Sequence, residues 1–373
     1  MIYLDNAATT PVDPRVVQAM LPFLRESFGN PASSTHAFGL GAARAVERAR
    51  GQVADLLHCQ PGEIVWTSGA TESNNLAIKG AALAGGAQGR HLITVATEHK
   101  AVLDTMRHLA QQGYPVTVIR PERNGLLSPE KFANALRPDT ALASVMLVNN
   151  ETGVIQDIAA LGALCRERGV LFHVDAAQAT GKVTIDLANL PVDLMSLTAH
   201  KTYGPKGIGA LYVRQALQSQ VACQMHGGGH EHGLRSGTLA THQIAGMGEA
   251  FRIAGEEMAD EIPRMRALRD RLWQALRTMT GVTLNGDSER RVANTLNISI
   301  AGCLLDLSAL SEVAISSASA CTSGHASHVL AAMGCDPHAT VMRISVGRFT
   351  SDSDIDYAVN YIRDCTNACL SRQ

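Results

Sequence analysis

Lys201 stands in Thr198-Ala199-His200-Lys201-Thr202-Tyr203-Gly204-Pro205-Lys206-Gly207, a Gly/Pro-bearing loop that follows an apolar run. A lysine at a strand end can form a Schiff base with an aldehyde cofactor once desolvation lowers its pKa. Taken alone, the same residues read more simply as a surface His-Lys pair. Two other strand ends change that weighting. Phe172-His173-Val174-Asp175-Ala176-Ala177-Gln178 ends a buried run on a carboxylate, which needs a charged partner or must neutralise. The pyridinium nitrogen of pyridoxal phosphate (PLP) is such a partner, and the carboxylate would keep the ring working as an electron sink. The simpler alternative is a helix N-cap aspartate. Thr67-Ser68-Gly69-Ala70-Thr71-Glu72-Ser73-Asn74-Asn75 sets Gly and hydroxyls between a strand and a helix N-terminus, a natural phosphate site, although capping alone accounts for such a turn. Phosphate cradle, buried Asp and loop Lys, in that chain order, are far more specific together than any one of them.

A metal reading competes, because His226, His230 and His232 form an HxxxHxH array with Glu231 beside them. Zinc hydrolases use such clusters. Gly227-Gly228-Gly229 breaks any regular ligand-presenting helix, so metal catalysis is not expected. Lys and Arg total 32 against 34 for Asp and Glu, a net charge of -2, which argues against a dedicated nucleic-acid binder. The eight cysteines, at 59, 165, 223, 303, 321, 335, 365 and 369, contain no CxxC pair. Their scatter over 373 residues does not resemble a small secreted disulfide scaffold. Met1-Ile2-Tyr3-Leu4-Asp5 has neither the basic nor the apolar region of a signal peptide. No run of about 18 apolar residues marks a membrane-spanning helix. A cytoplasmic, reducing location with free thiols and no membrane contact is the expectation.

The elements that must position these residues follow from hydrophobic periodicity. Apolar, β-branched runs at 63–67, 92–96, 116–120, 142–148, 170–174, 192–197 and 208–213 alternate with helix-length segments at 71–84, 100–112, 129–136 and 158–168. Buried strands separated by such helices predict βαβ units and a mainly parallel, seven-stranded sheet covered on both faces. The link from Leu197 to Ile208 is too short for a crossover helix, which predicts one antiparallel strand. After Thr241, helical spacing of Ile244, Met247, Phe251, Ala254 and Met258 continues beyond Pro263 through Met265, Leu268, Leu272 and Leu276. A long, proline-bent helix that crosses into a smaller α+β domain fits this pattern. That domain has strand candidates at 295–300 and 341–345, and the small-residue stretch 316–327 reads as a mobile loop.

With these motifs in hand, the chain resembles a cysteine desulfurase of the NifS/IscS type, in the class-V aminotransferase family of PLP enzymes. The likeness runs from Tyr3-Leu4-Asp5-Asn6-Ala7-Ala8-Thr9-Thr10-Pro11 to Arg343-Ile344-Ser345-Val346-Gly347-Arg348. It includes Gly29-Asn30-Pro31-Ala32-Ser33, Thr97-Glu98-His99-Lys100-Ala101-Val102, Val148-Asn149-Asn150-Glu151-Thr152-Gly153, His226-Gly227-Gly228-Gly229-His230 and Arg235-Ser236-Gly237-Thr238. The resemblance implies an α/β, PLP-dependent transferase fold of type I, with a large PLP-binding domain over 15–256. The small domain, 1–14 and 257–373, would carry the catalytic cysteine loop. It further implies that Lys201 holds PLP, Asp175 pairs with the pyridine nitrogen, and Gln178 bonds the ring hydroxyl. His99 would stack on the ring and shuttle protons. Ala70, Thr71, Thr198 and His200 would hold the phosphate, joined by Thr238 of a neighbouring subunit in a homodimer. Asn150, also a cofactor contact, and Arg343 would clamp the carboxylate of L-cysteine, a bidentate task that suits Arg.

The nucleophile implied is Cys321, in Ser316-Ser317-Ala318-Ser319-Ala320-Cys321-Thr322-Ser323-Gly324. It would take sulfur from cysteine, leave alanine, and pass its persulfide to an acceptor protein of iron–sulfur assembly, tRNA thiolation or DNA phosphorothioation. A small-residue loop suits a thiolate that must reach inward and then outward. Ala318 replaces the usual glycine, the stretch after Cys321 is short, His325 and His328 are unexpected there, and no long tail follows Cys369. These departures lead us to expect a specialised acceptor. Selenocysteine lyase or another class-V PLP enzyme is the runner-up, and a non-catalytic scaffold is a third class. The set Lys201, Asp175, His99 and Cys321 argues against the third.

Overall fold

Period-two alternation along seven short strands gives this chain two apolar faces to cover, and it covers both. The computed structural model describes residues 1–84, 90–303, 305–307, 310–317 and 327–371. In chain order, its first elements are β1 (Ile2–Tyr3), α1 (Pro14–Arg25), α2 (Ala37–Leu57), β2 (Ile64–Thr67), α3 (Ala70–Leu83), β3 (His91–Val95), α4 (Lys100–Gln111) and β4 (Val116–Ile119). Next come α5 (Pro129–Ala135), β5 (Thr140–Met146), α6 (Ile158–Glu167), β6 (Leu171–Asp175), β7 (Leu194–Thr198), β8 (Gly209–Val213) and α7 (Thr241–Leu276). The remainder holds β9 (Val282–Leu284), β10 (Thr295–Ile300), β11 (Val313–Ala314), α8 (His328–Met333), β12 (Thr340–Ser345) and α9 (Asp352–Leu370).

The large sheet has the order β2-β8-β7-β6-β5-β3-β4. Only β8 runs against its neighbours, pairing antiparallel with β2 and with β7, as the short Leu197–Ile208 link predicts. On one face Trp66, Ile93, Val145, Phe172, Val174, Leu197 and Tyr212 pack with residues of α2, α5, α6 and α7. Their alternates Val65, Leu92, Leu142, Leu194 and Leu211 pack on the other face with Leu76 and Ile78 of α3 and Val102 and Met106 of α4. Residues i and i+2 of a strand share a face, so the same runs feed two separate cores.

The long helix α7 is continuous through Pro263, with the predicted apolar stripe. Ile244, Met247 and Phe251 of its first half lie in the sheet core. Met265, Leu268, Leu272 and Leu276 of its second half lie in another core, with Leu296, Ile298, Met342, Ile344, Ile355 and Ile362. There β12, β10 and β9 form an antiparallel sheet, and the N-terminal β1 pairs with β11. Helices α1, α2 and α9 and the β1–β11 pair were not anticipated from the sequence. The β1–β11 register joins Ile2 to Val313, a separation that leaves no local signal. Among the described residues, no helix is long and apolar enough to cross a membrane.

Buried histidines make this fold acid-sensitive. His173 is fully buried between Ser144 Oγ (2.8 Å) and Ser196 Oγ (2.9 Å), and burial holds its pKa down to about 4. The unfolded chain therefore takes up the proton first as pH falls. Stability from this group is complete above about 6.5 and is lost towards pH 4, on the order of 3 kcal/mol in all. Denaturant titrations at pH 7 and pH 5 should show a smaller loss of stability for His173→Gln than for the wild type. An identical loss in both proteins would refute the assignment.

Candidate active site

The C-terminal ends of β2, β3, β5, β6 and β7 share one edge of the sheet, where open α/β sheets place their ligands. A cleft of about 450 Å³ opens there. It is lined by Ala70, Thr71, His99, Asn150, Asp175, Gln178, Thr198, His200, Lys201 and Arg343, every one of which the sequence had marked.

Asp175 is the last residue of β6 and only 4% exposed. Its Oδ2 accepts from Asn74 Nδ2 at 2.8 Å and its Oδ1 from the Ala177 amide at 2.9 Å. Two neutral donors satisfy the carboxylate without discharging it, which suits a cationic ring nitrogen. Gly69, at the N-terminus of α3, has φ +147° and provides no side-chain cap. The first-turn amides of that helix are therefore left for an anion. Thr67 Oγ1 and Ser73 Oγ bond each other at 2.7 Å, so those two hydroxyls of the turn serve the fold while Thr71 faces the cleft.

His200 is held near pKa 4 by burial and by the charges of Lys201, Lys206 and Lys182, so its ring is neutral beside Thr9 Oγ1 (3.1 Å). His99 caps α4: its Nδ1 accepts from the Ala101 amide at 3.1 Å. Burial lowers the His99 pKa, Asp175 opposes that shift, and Lys201 and His328 add to it. A neutral His99 therefore carries its proton on Nε2. Gln178 donates to Ala7 O at 2.8 Å and keeps a second amide hydrogen. Arg343, 1% exposed, donates to Asp5 Oδ1 (2.9 Å) and Asn150 O (3.0 Å). Its Nε and the Asn150 Oδ1 are buried without a hydrogen-bond partner. Orphaned polar atoms, a buried carboxylate, an open helix N-terminus and a cleft lysine together fit PLP and an amino-acid carboxylate.

The pattern that defines the class-V aminotransferases matches residues 2–358. The chain belongs to the class-V aminotransferase family. It is 62% identical over 371 residues to a protein named cysteine desulfurase IscS from Methylococcus capsulatus, covering 97% of this chain and 92% of that one. An Escherichia coli protein of the same name is 54% identical, with the same coverage. Among solved structures, a NifS-like protein aligns with a TM-score of 0.90 at 36% identity, covering 97% of this chain and 98% of that one. DndA from Streptomyces lividans aligns at 0.79 and 41% identity, over 92% of this chain and 99% of its own.

One expected residue among those described does not line this class-V cleft. Thr238 is exposed on the surface. Cys321 and His325 lie outside the described residues, but both flanks of their segment are tied to the cleft wall. Ser316 donates to Asp5 Oδ2 at 2.8 Å and bridges Arg343, while Ser327 Oγ donates to Glu151 Oε2. Of the other cysteines, Cys59 and Cys165 are pushed up to about 12, and Cys303 to about 11, chiefly by burial. Glu231, the carboxylate of the histidine array, is buried against Arg50 (2.8 Å) and accepts from the Trp66 amide, so it serves the fold.

Four residues at the site escaped the sequence reading: Asn74, Asp5, Glu98 and Lys182. Asp5 lies 338 positions from Arg343, and Glu98 and Lys182 are ordinary polar residues until burial makes them costly. Lys182 Nζ reaches Gln178 O at 3.4 Å, and burial brings its pKa down to about 7. Asn74 had a usable signal, since it lies within the first turns of the helix that opens the phosphate turn. Losing a hydrogen bond to a buried charge costs about 1.5–3 kcal/mol, so Asn74→Ala should weaken PLP binding to the apoprotein by about tenfold or more. Fluorescence titration measures this, and an unchanged affinity would show that Asn74 does not support Asp175.

Proposed function

We propose that this cleft is the active site of a PLP-dependent cysteine desulfurase, which converts L-cysteine to L-alanine and moves the sulfur to Cys321. The observation that carries the assignment is the convergence of Lys201, Asp175, His99 and Arg343 on one cleft in a chain so similar to named cysteine desulfurases. A solved relative titled SspA in complex with cysteine, 36% identical with a TM-score of 0.81, supports the substrate. PLP, when bound, supplies an electron sink beside the carbon that carries the substrate amine.

The chain's residues do the rest. Lys201 would hold the cofactor covalently, and Asp175 would accept from its ring nitrogen. Gln178 would offer its second amide hydrogen to the ring hydroxyl. The α3 amides with Thr71, Thr198 and His200 would hold the phosphate. Arg343 and Asn150 orient the substrate carboxylate, with Asp5 fixing the guanidinium plane. His99 exchanges protons at Nε2, since its Nδ1 is committed to Ala101. The Cys321 thiolate attacks the substrate sulfur, the substrate C–S bond breaks, its electron pair passes to the substrate carbon skeleton, and Cys321 is left as a persulfide. The cleft-side ties of Ser316 and Ser327 support that reach.

We read residues 15–256 as the PLP-binding domain and residues 1–14 with 257–373 as the domain that carries Cys321. A second copy of the chain would bring its Thr238 to the phosphate and form a homodimer. Because Cys321 must begin each cycle as a free thiol, the reducing cytoplasm is the fitting compartment. An acceptor protein receives the sulfur. Identity of 62% to a relative named IscS against 41% to DndA favours iron–sulfur assembly over the specialised acceptor expected from the short loop.

The assignment makes separable demands. Purified protein should be yellow, and Lys201→Ala should abolish the colour. Cys321→Ser should keep the colour and lose sulfide release from cysteine. A Cys321→Ser enzyme that still releases sulfide at the wild-type rate would remove the nucleophile from this account. Sedimentation should show a dimer, and Thr238→Ala should weaken PLP retention. A wild-type monomer holding PLP stoichiometrically would contradict the shared site.

A further inference from the structure

We propose that His328 is a positioning residue for His99: by donating to the peptide that precedes His99, it fixes that imidazole in the cleft. The inference rests on the proton-transfer role read above for His99.

His328 opens α8 and does not line the cleft. Its Nε2 donates to the carbonyl oxygen of Glu98 at 2.9 Å. Glu98 is fully buried and is held from the opposite side too, because its Oε1 accepts from the Met146 amide at the end of β5 at 2.8 Å. The Glu98 side chain is thus anchored to β5, and the carbonyl of the 98–99 peptide is held by α8, so that peptide cannot rotate without breaking the His328 bond. His99 follows directly, with Nδ1 committed to the Ala101 amide. A tilt of the 98–99 peptide would move the ring and loosen that cap together. The neighbouring residue keeps α8 in register: Ser327 Oγ accepts from the Leu330 amide at 3.0 Å and donates to Glu151. Because α8 has only a small core of its own, Val329, Leu330 and Met333, such polar ties carry much of its placement.

The charged neighbours of His328 are Lys100, Asp104 and Arg107 of α4, which line a second cavity with it, together with His99 and, through Ser327, Glu151. Burial raises the Glu98 pKa well above the ordinary carboxylate value, with the charge of Asp175 adding to the effect. A proton on His328 disfavours a second proton on His99. The ring thus bears on His99 in two separable ways: its N–H holds geometry, and a proton on it opposes one on His99.

The test compares His328→Ala, His328→Gln and His99→Ala as PLP-loaded enzymes, with dithiothreitol as the sulfur acceptor and thermal melts to confirm folding. His328→Ala should lower kcat about tenfold with KM for cysteine unchanged, since small misplacements of reacting groups are costly. Loss of the cap should speed hydrogen exchange in a peptide covering 99–103 about fivefold, in apoprotein as in holoenzyme. Glutamine keeps an N–H donor, so His328→Gln should restore both. In both variants the limb of the pH–rate profile that belongs to His99 should move to higher pH, because the opposing charge is gone. If His99→Ala is impaired while His328→Ala keeps wild-type kcat and exchange, the inference fails and the role of His99 stands. A folded His328→Gln enzyme that leaves kcat and exchange at the His328→Ala values would equally overturn it. If His99→Ala is as active as wild type, the reading of His99 falls and takes this inference with it.

Discussion

A carboxylate at the end of a buried strand, hydrogen-bonded by neutral donors, is the constraint around which this protein is arranged. Asp175 accepts from an asparagine side chain and a backbone amide. Removing it from water is expensive unless a cation completes the site. Its field organises the neighbours. Glu98, buried without a countercharge, has its pKa raised well above the ordinary value by burial and by Asp175. Burial and the neighbouring lysines bias the cleft histidines towards the neutral ring, with Asp175 pulling His99 the other way.

The sheet supplies the place for this arrangement. With β8 reversed, β2 runs parallel to β7, so the turn after β2 and the ends of β5, β6 and β7 meet at one edge. An antiparallel β2 would have carried Gly69 and the start of α3 to the opposite edge, away from Asp175 and Lys201. The short link from Leu197 to Ile208, which also brings Lys201 to the cleft, is thus a topological device as well as part of the site.

The sheet was legible because each of its strands is a short apolar run with turn residues on both sides, and the motifs at strand ends were legible because Lys, Asp and a Gly-hydroxyl turn are individually conspicuous. Helices α1, α2 and α9 escaped notice, since amphipathic surface helices compete with less decisive signals in an Ala-rich chain. The turn residues Thr67, Ser73 and Thr71 could not be sorted into structural and cleft-facing hydroxyls until the Thr67–Ser73 bond was seen. Likewise Glu231 reads as a metal-site carboxylate beside three histidines, and only its buried pairing with Arg50 reveals its structural use. Contacts across hundreds of residues, such as Asp5 with Arg343, have no local pattern at all.

That last contact explains why the placement of Arg343 depends on a core remote from the cleft. Arg343 lies on β12, whose alternate residues Met342 and Ile344 are buried in the second core with the far half of α7. Asp5, which fixes the guanidinium, is reached from the N-terminal strand β1 through β11 of the same region. Ser316, at the near flank of the cysteine segment, is tied to both. Arg343, Asp5 and Ser316 are therefore carried by one packed unit, while Asp175, His99 and Lys201 are carried by the large sheet. Substitutions that loosen the second core, for instance at Leu272 or Ile362, should act on the first group and spare the second.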